Sequence, residues 1–122
     1  MDKKSFKYQI AVATSDGIVV NQHFGRTDQF IIYGVDHDSA VDFLEERKVI
    51  PICQAGNHDD ARMKECAQKL SDCKYVLVSR IGQGASNVLE QEGIIPIELP
   101  GFIKESIQKI ISYDKVQDLL NE

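Results

Sequence analysis

The chain has 122 residues, of which 43% are hydrophobic and 27% charged, and it carries a net charge of −5. That length suits a single domain, which buries roughly two-thirds of its unfolded surface and needs no disulfide scaffold to hold a core. The composition excludes a disordered chain, the apolar runs fall far short of membrane-spanning length, and the absence of a basic stripe counts against nucleic acid or an anionic membrane as partner.

The first residues, MDKKSFKYQ, bring lysines but no apolar stretch after them. They read as a frayed lead-in to a strand rather than a signal peptide, so a cytoplasmic location is expected. Residues 8–14 (YQIAVAT) form a β-rich run closed by the turn signal Ser15-Asp16-Gly17. After a loop, residues 29–35 (QFIIYGV) make a second strand, and residues 42–50 a third beyond the turn Asp36-His37-Asp38-Ser39. Asn57 is a suitable N-cap, with Asp59 and Asp60 in a first helical turn, where the helix dipole favours carboxylates. Met63, Cys66, Ala67 and Leu70 then fall at i, i+3, i+4 and i+7. Residues 74–79 (KYVLVS) read as a buried strand, residues 85–92 as a short helix closed by Gly93, and residues 94–97 as a short strand. A helix over residues 102–111 follows, with a further helical tail over residues 113–122.

The order β-β-β-α-β-α-β-α describes an α/β domain in which hairpins make the early strands antiparallel and crossover helices make the later ones parallel. A five-stranded mixed sheet with helices packed on it results, with the element order of a ribonuclease-H-like motif. The alternation of chain direction brings the loops over residues 16–28, 51–57, 81–84 and 99–101 to one edge, where open α/β sheets usually hold ligands.

Those loops contain the chemistry-bearing residues. His23 stands in Asn21-Gln22-His23-Phe24-Gly25-Arg26, where an imidazole beside an aromatic and a glycine is able to face a cleft as a metal ligand. The competing reading is a loop histidine bonded to a backbone carbonyl. Cys53 and His58 lie five residues apart at a helix start, whose positive end favours a thiolate and a neutral imidazole. An inert Cys53 and a solvated His58 account equally well for that spacing. Arg80-Ile81-Gly82-Gln83-Gly84 offers backbone N–H groups and a guanidinium to an anion, or is simply a tight turn. Cys66 lies on the apolar stripe and Cys73 at a helix end, so both read as structural. An odd set of three cysteines without a CxxC excludes a closed four-thiolate site and points to reduced thiols. The strands also lack the carboxylates a ribonuclease-H-like nuclease uses to hold two Mg²⁺ ions, and there is neither a P-loop nor a nucleophile elbow. The expectation is a protein without catalysis of its own.

Taken together, IAVATSDG, NQHFGRTDQFIIY and GNHDDARMKECAQKLSDCKYVLVSRIGQGASNVLEQEGIIPIE resemble the dinitrogenase iron–molybdenum cofactor biosynthesis family. That family includes NifX, NifY, the NafY core domain and the C-terminal domain of NifB. The resemblance implies a ribonuclease-H-like fold and a non-catalytic carrier, or chaperone, for an iron–sulfur or iron–molybdenum cofactor or its precursor. It implies His23 as a cluster contact, with Cys53 and His58 as further contacts; Asn21, Gly25, Arg80, Gly82 and Gly84 are the other residues expected to bind the cofactor. A cofactor-assembly scaffold or an apo-nitrogenase protein is the implied partner. Two readings stand beside it: a module binding a simple anion or a mononuclear metal, and an adaptor working through the edge strand over residues 42–50.

Overall fold

The computed structural model describes residues 5–51 and 60–121, and it follows the expected order with two short strands added. The elements are β1 (Tyr8–Ala13), β2 (Val19–Val20), β3 (Gln29–Val35), β4 (Val41–Lys48), α1 (Asp60–Lys69), β5 (Tyr75–Val78), α2 (Gln83–Gln91), β6 (Ile95–Glu98), β7 (Gly101–Phe102) and α3 (Ile103–Leu120). Five strands form one mixed sheet in the order β4-β3-β1-β5-β6. The β1–β3 and β3–β4 pairs are antiparallel, and the β1–β5 and β5–β6 pairs parallel, as the hairpins and crossovers require.

The position of each strand explains its sequence. β5 is buried along its whole length and β1 nearly so, because helices cover both faces there; each therefore reads as an unbroken apolar run. β4 lies at the sheet edge and is charged, and its ladder with β3 slips between Ile32 and Tyr33, a combination that blunts an edge against stray pairing. On one face α1 and α2 pack Met63, Cys66, Ala67, Leu70 and Leu89 against Ala11, Phe30, Ile32, Val76 and Val78. On the other, Ile103, Ile107, Ile110 and Ile111 of α3 cover Tyr8, Ile10, Val12, Val35, Tyr75 and Leu77. α2 ends as its sequence suggested. Gly93 takes φ +78°, and the N–H groups of Gly93 and Ile94 donate to the carbonyls of Glu90 and Leu89, the paired bonds of a glycine-terminated helix.

The structure departs from expectation at both ends of the chain. The C-terminal segment is no separate tail: α3 runs unbroken to Leu120, with no glycine or proline inside it, and Asp114 is only 1% exposed. Directly before β1, Phe6 and Lys7 are held to the sheet rather than frayed. Lys7 N–H donates to Val35 O at 2.8 Å, and the ring of Phe6 lies over Gly34 so closely that a Cβ on Gly34 would come within 2.5 Å of it. Gly34→Ala is therefore expected to push the Phe6 ring off the sheet and cost about 1–2 kcal/mol, read as a lower urea midpoint. An unchanged midpoint would show that this ring contributes nothing. Among the described residues, no helix is long and apolar enough to cross a membrane.

Candidate functional site

The carboxyl ends of β1, β5 and β6 share one edge of the sheet because these three strands run parallel. Two of the loops expected there are joined directly. Ser79 N–H donates to Gln22 O and Phe24 N–H to Arg80 O, both at 3.0 Å, making a parallel bridge between His23 and Arg80. The N–H groups of Arg26 and Thr27 both donate to His23 O at 3.1 Å and close a single helical turn. Next to the histidine, Phe24 is buried against Phe30, with ring centroids 5.9 Å apart. The backbone on both sides of His23 is thus pinned while its side chain stays exposed, and among the described residues the imidazole has no hydrogen-bond partner. An imidazole spent on a backbone carbonyl is not what these residues show.

Between the joined loops lies a cleft of about 380 Å3, lined by His23, Gly25, Arg26, Arg80, Ile81, Gly82 and Glu98. Arg26 and Arg80 are exposed, and no described carboxylate lies within ion-pair distance of either guanidinium. Gly82 is the N-cap of α2 and brings no side-chain cap; there is no acid in the first turn of that helix. Its leading amides therefore keep the partial positive charge that attracts anions to helix N-termini. Glu98, the last residue of β6, brings the one carboxylate among the described lining residues, and its Oε1 accepts the Ile81 N–H at 3.1 Å.

Of the residues expected to bind, His23, Gly25, Arg80 and Gly82 line this cleft. Asn21 does not. Its Nδ2 donates to Ser15 Oγ at 2.8 Å and its Oδ1 accepts Ser15 N–H at 3.0 Å, so it clamps the loop after β1. Gly84 is also absent from the lining: α2 begins two residues earlier than expected, because Gly82 O already accepts Ser86 N–H, and Gly84 falls inside the first turn. Cys53 and His58, like Asn57 and Asp59, lie outside the described residues. β4 leaves the sheet beside the loop carrying His23, with Val49 N–H donating to Asp28 O at 2.9 Å. Among the described residues no three His, Cys, Asp or Glu side chains come together as a metal-holding group.

Three lining residues escaped the sequence reading: Arg26, Ile81 and Glu98. Arg26 lay within the histidine motif, and Glu98 had the signal of standing at the carboxyl end of a parallel strand. The remaining described thiols are structural. Burial pushes Cys66 up to about 11 and Cys73 up to about 12, which keeps both protonated. A larger groove of about 630 Å3 lies on the α3 face between Ile18, Tyr33, Val41, Phe102 and Ile107; its lining contains neither imidazole nor thiol.

Comparison with known proteins identifies the family. Residues 7–113 match the family model described as dinitrogenase iron-molybdenum cofactor. Over 111 residues the chain is 32% identical to the FeMo cofactor biosynthesis protein NifB of Chlorobaculum tepidum, covering 91% of this chain but only 26% of that protein. The chain thus spans about a quarter of the length of this relative. The crystal structure of PH0822 superposes with a TM-score of 0.64 at 22% identity, covering 85% of this chain and 90% of that one. The apo form of the orange protein from Desulfovibrio gigas gives 0.60 at 19% identity, covering 89% and 91%. At such identities the two structures speak for a shared fold alone.

Proposed function

This chain belongs to the dinitrogenase iron–molybdenum cofactor family, and we propose that within it the protein is a non-catalytic carrier for an anionic iron–sulfur or iron–molybdenum cofactor or its precursor. The observation that supports this most is the placement of His23: among the described residues its imidazole is free, on a pinned backbone, at a cleft with two guanidiniums that no described carboxylate pairs. The donor set fits a negatively charged metal cargo. His23 supplies a ligating nitrogen, Arg26 and Arg80 supply charge, and the amides leading α2 supply polarised N–H groups. A cargo held this way is held loosely by the described residues, as suits temporary custody. Cys53 and His58 are proposed as its additional ligands.

The strand order and pairing directions support reading the fold as ribonuclease-H-like. The carrier works in the cytoplasm and passes its cargo to an assembly scaffold or an apo-nitrogenase protein.

The test is anaerobic titration with isolated cofactor precursor, followed by gel filtration with iron and sulfide analysis. Iron is expected to co-elute with the parent protein. His23→Ala should weaken retention by at least the roughly tenfold that loss of an outer-shell partner costs a metal site. Undiminished retention in that variant would remove His23 from the site. A second reading, a module for a simple anion, is favoured by Arg26, Arg80 and the amides leading α2, since these need no metal. Stabilisation by phosphate alone, with no retained iron, would select it.

A further inference from the structure

The cleft contains one group that works against the proposed cargo. Glu98 lines it together with His23, Arg26 and Arg80, so a carboxylate shares the space that an anion would enter. Its position is not accidental to a loose side chain. Both backbone groups of Leu99, the next residue, are held: its N–H donates to Val78 O at 3.1 Å and its carbonyl accepts Ser106 Oγ–H at 2.9 Å, which fixes the backbone just after Glu98. The side chain reaches across to the Ile81 N–H at 3.1 Å, the amide that precedes the N-cap of α2. Neither guanidinium comes within ion-pair distance of that carboxylate among the described residues, so Glu98 lowers the positive potential of the cleft without neutralising either arginine.

We propose that Glu98 is the release residue of this site: an internal anion that holds the Ile81 amide while the cleft is empty and opposes retention of an anionic guest. This rests on the carrier reading and adds to it a reason why the cargo leaves. Two arginines, an imidazole and a helix N-terminus all favour an anionic guest, and Glu98 is the described lining group that opposes one. A fixed negative charge a few ångströms from the guest raises the dissociation rate at no cost to the shape of the cleft. The same carboxylate sets a limit on ligand chemistry, because it disfavours compact anions of high charge unless they displace it from Ile81.

The test uses Glu98→Gln, whose amide oxygen still accepts the Ile81 N–H while the charge is gone. Inorganic phosphate is the probe, titrated into ¹⁵N-labelled protein and followed at the Ile81 and Gly82 amides. At low ionic strength E98Q is expected to bind phosphate roughly three- to tenfold more tightly than the parent, the size set by one screened charge at short range. That advantage should shrink as salt is raised, which a purely structural role would not produce. Equal or weaker binding by E98Q, an advantage indifferent to salt, or no phosphate binding by either protein would overturn the assignment. Retention of the iron–sulfur precursor by the parent is measured separately. Its failure alongside an intact phosphate difference would remove the carrier reading and leave Glu98 as an opposing charge in an anion site. Intact retention with equal phosphate affinities would do the reverse.

Discussion

Asp114→Ala is expected to lower the free energy of unfolding by about 3 kcal/mol, at the lower end of the range for breaking a buried ion pair from one side. Asp114 is the centre of a cluster at the edge of the sheet opposite the cleft. Its Oδ1 accepts the Tyr75 O–H at 2.5 Å and the Lys74 ammonium at 2.6 Å. Its Oδ2 accepts no well-aligned hydrogen bond among the described residues and is balanced by the Lys7 ammonium at 3.1 Å. Lys7 also pairs with Asp118, one turn further along α3. Around these charges Tyr8, Tyr75 and Tyr113 stack edge to face, and Lys74 lies 5.6 Å and 5.4 Å from the centroids of the Tyr8 and Tyr75 rings. Alanine would leave the Tyr75 hydroxyl buried without its acceptor and two lysines without their shared counter-charge. Because both lysines are partly solvated, they recover some hydration, and this keeps the loss at the lower end. Asp114→Asn keeps the volume and an acceptor for Tyr75, so roughly half the loss is expected.

The pH dependence tests the same cluster. Burial alone would push the Asp114 carboxyl up, but the hydrogen bonds from Lys74 and Tyr75 and the Lys7 ammonium beside Oδ2 together outweigh it and hold the group below its ordinary value of 3.8. A carboxyl lowered in the folded state contributes stability above its unfolded value and loses that contribution as pH falls through the folded one. The gap in urea midpoint between the parent and D114N should therefore be full at pH 7 and close only below about pH 4. A gap that stayed constant into acid would mean that packing, not charge, holds α3 to the sheet here. Since the cluster is remote from His23, folded D114N should retain precursor like the parent.

What could be read from the sequence follows from the range over which each signal acts. Central strands buried on both faces, the helical stripe through Met63 and Leu70, and the Gly93 stop are local patterns, and each is present within a residue or two of its expected place. The common edge for His23 and Arg80 followed from chain direction alone, because parallel strands leave no other arrangement. Three features were not legible, because each depends on a partner that no local pattern reveals. The β2–β7 ribbon is two residues wide and pairs loops some eighty positions apart. The continuity of α3 is secured through Asp114 by lysines and a tyrosine from β5 and the N-terminal segment. Asn21 was expected in the site because it stands two residues before His23, and only its bonds to Ser15 reveal a loop clamp.

Phe24→Ala should be both the most destabilising change at the site and the one that best separates the loop from the ligand. The Phe24 ring is 2% exposed and packs on Phe30 within the core on the α1 and α2 face, so truncation should cost about 3–5 kcal/mol. Phe24→Leu keeps most of the apolar volume and should cost closer to 1.5 kcal/mol. The functional consequence is local. With the ring gone, nothing apolar draws the turn over residues 23–27 into the sheet, and the two backbone hydrogen bonds of the His23–Arg80 bridge must hold it. His23 would then sample positions away from Arg26 and Arg80. Retention of the precursor should fall in F24A even well below its melting temperature, and F24L should keep most of it. Both variants are to be compared by circular dichroism for folding and by co-eluting iron for retention, at one low temperature. A folded F24A that held precursor as the parent does would mean that the histidine needs no apolar anchor, and that the bridge to Arg80 suffices to present it. The expected result instead ties a core side chain to a surface ligand through one peptide unit: the exposed imidazole is placed by the buried ring beside it.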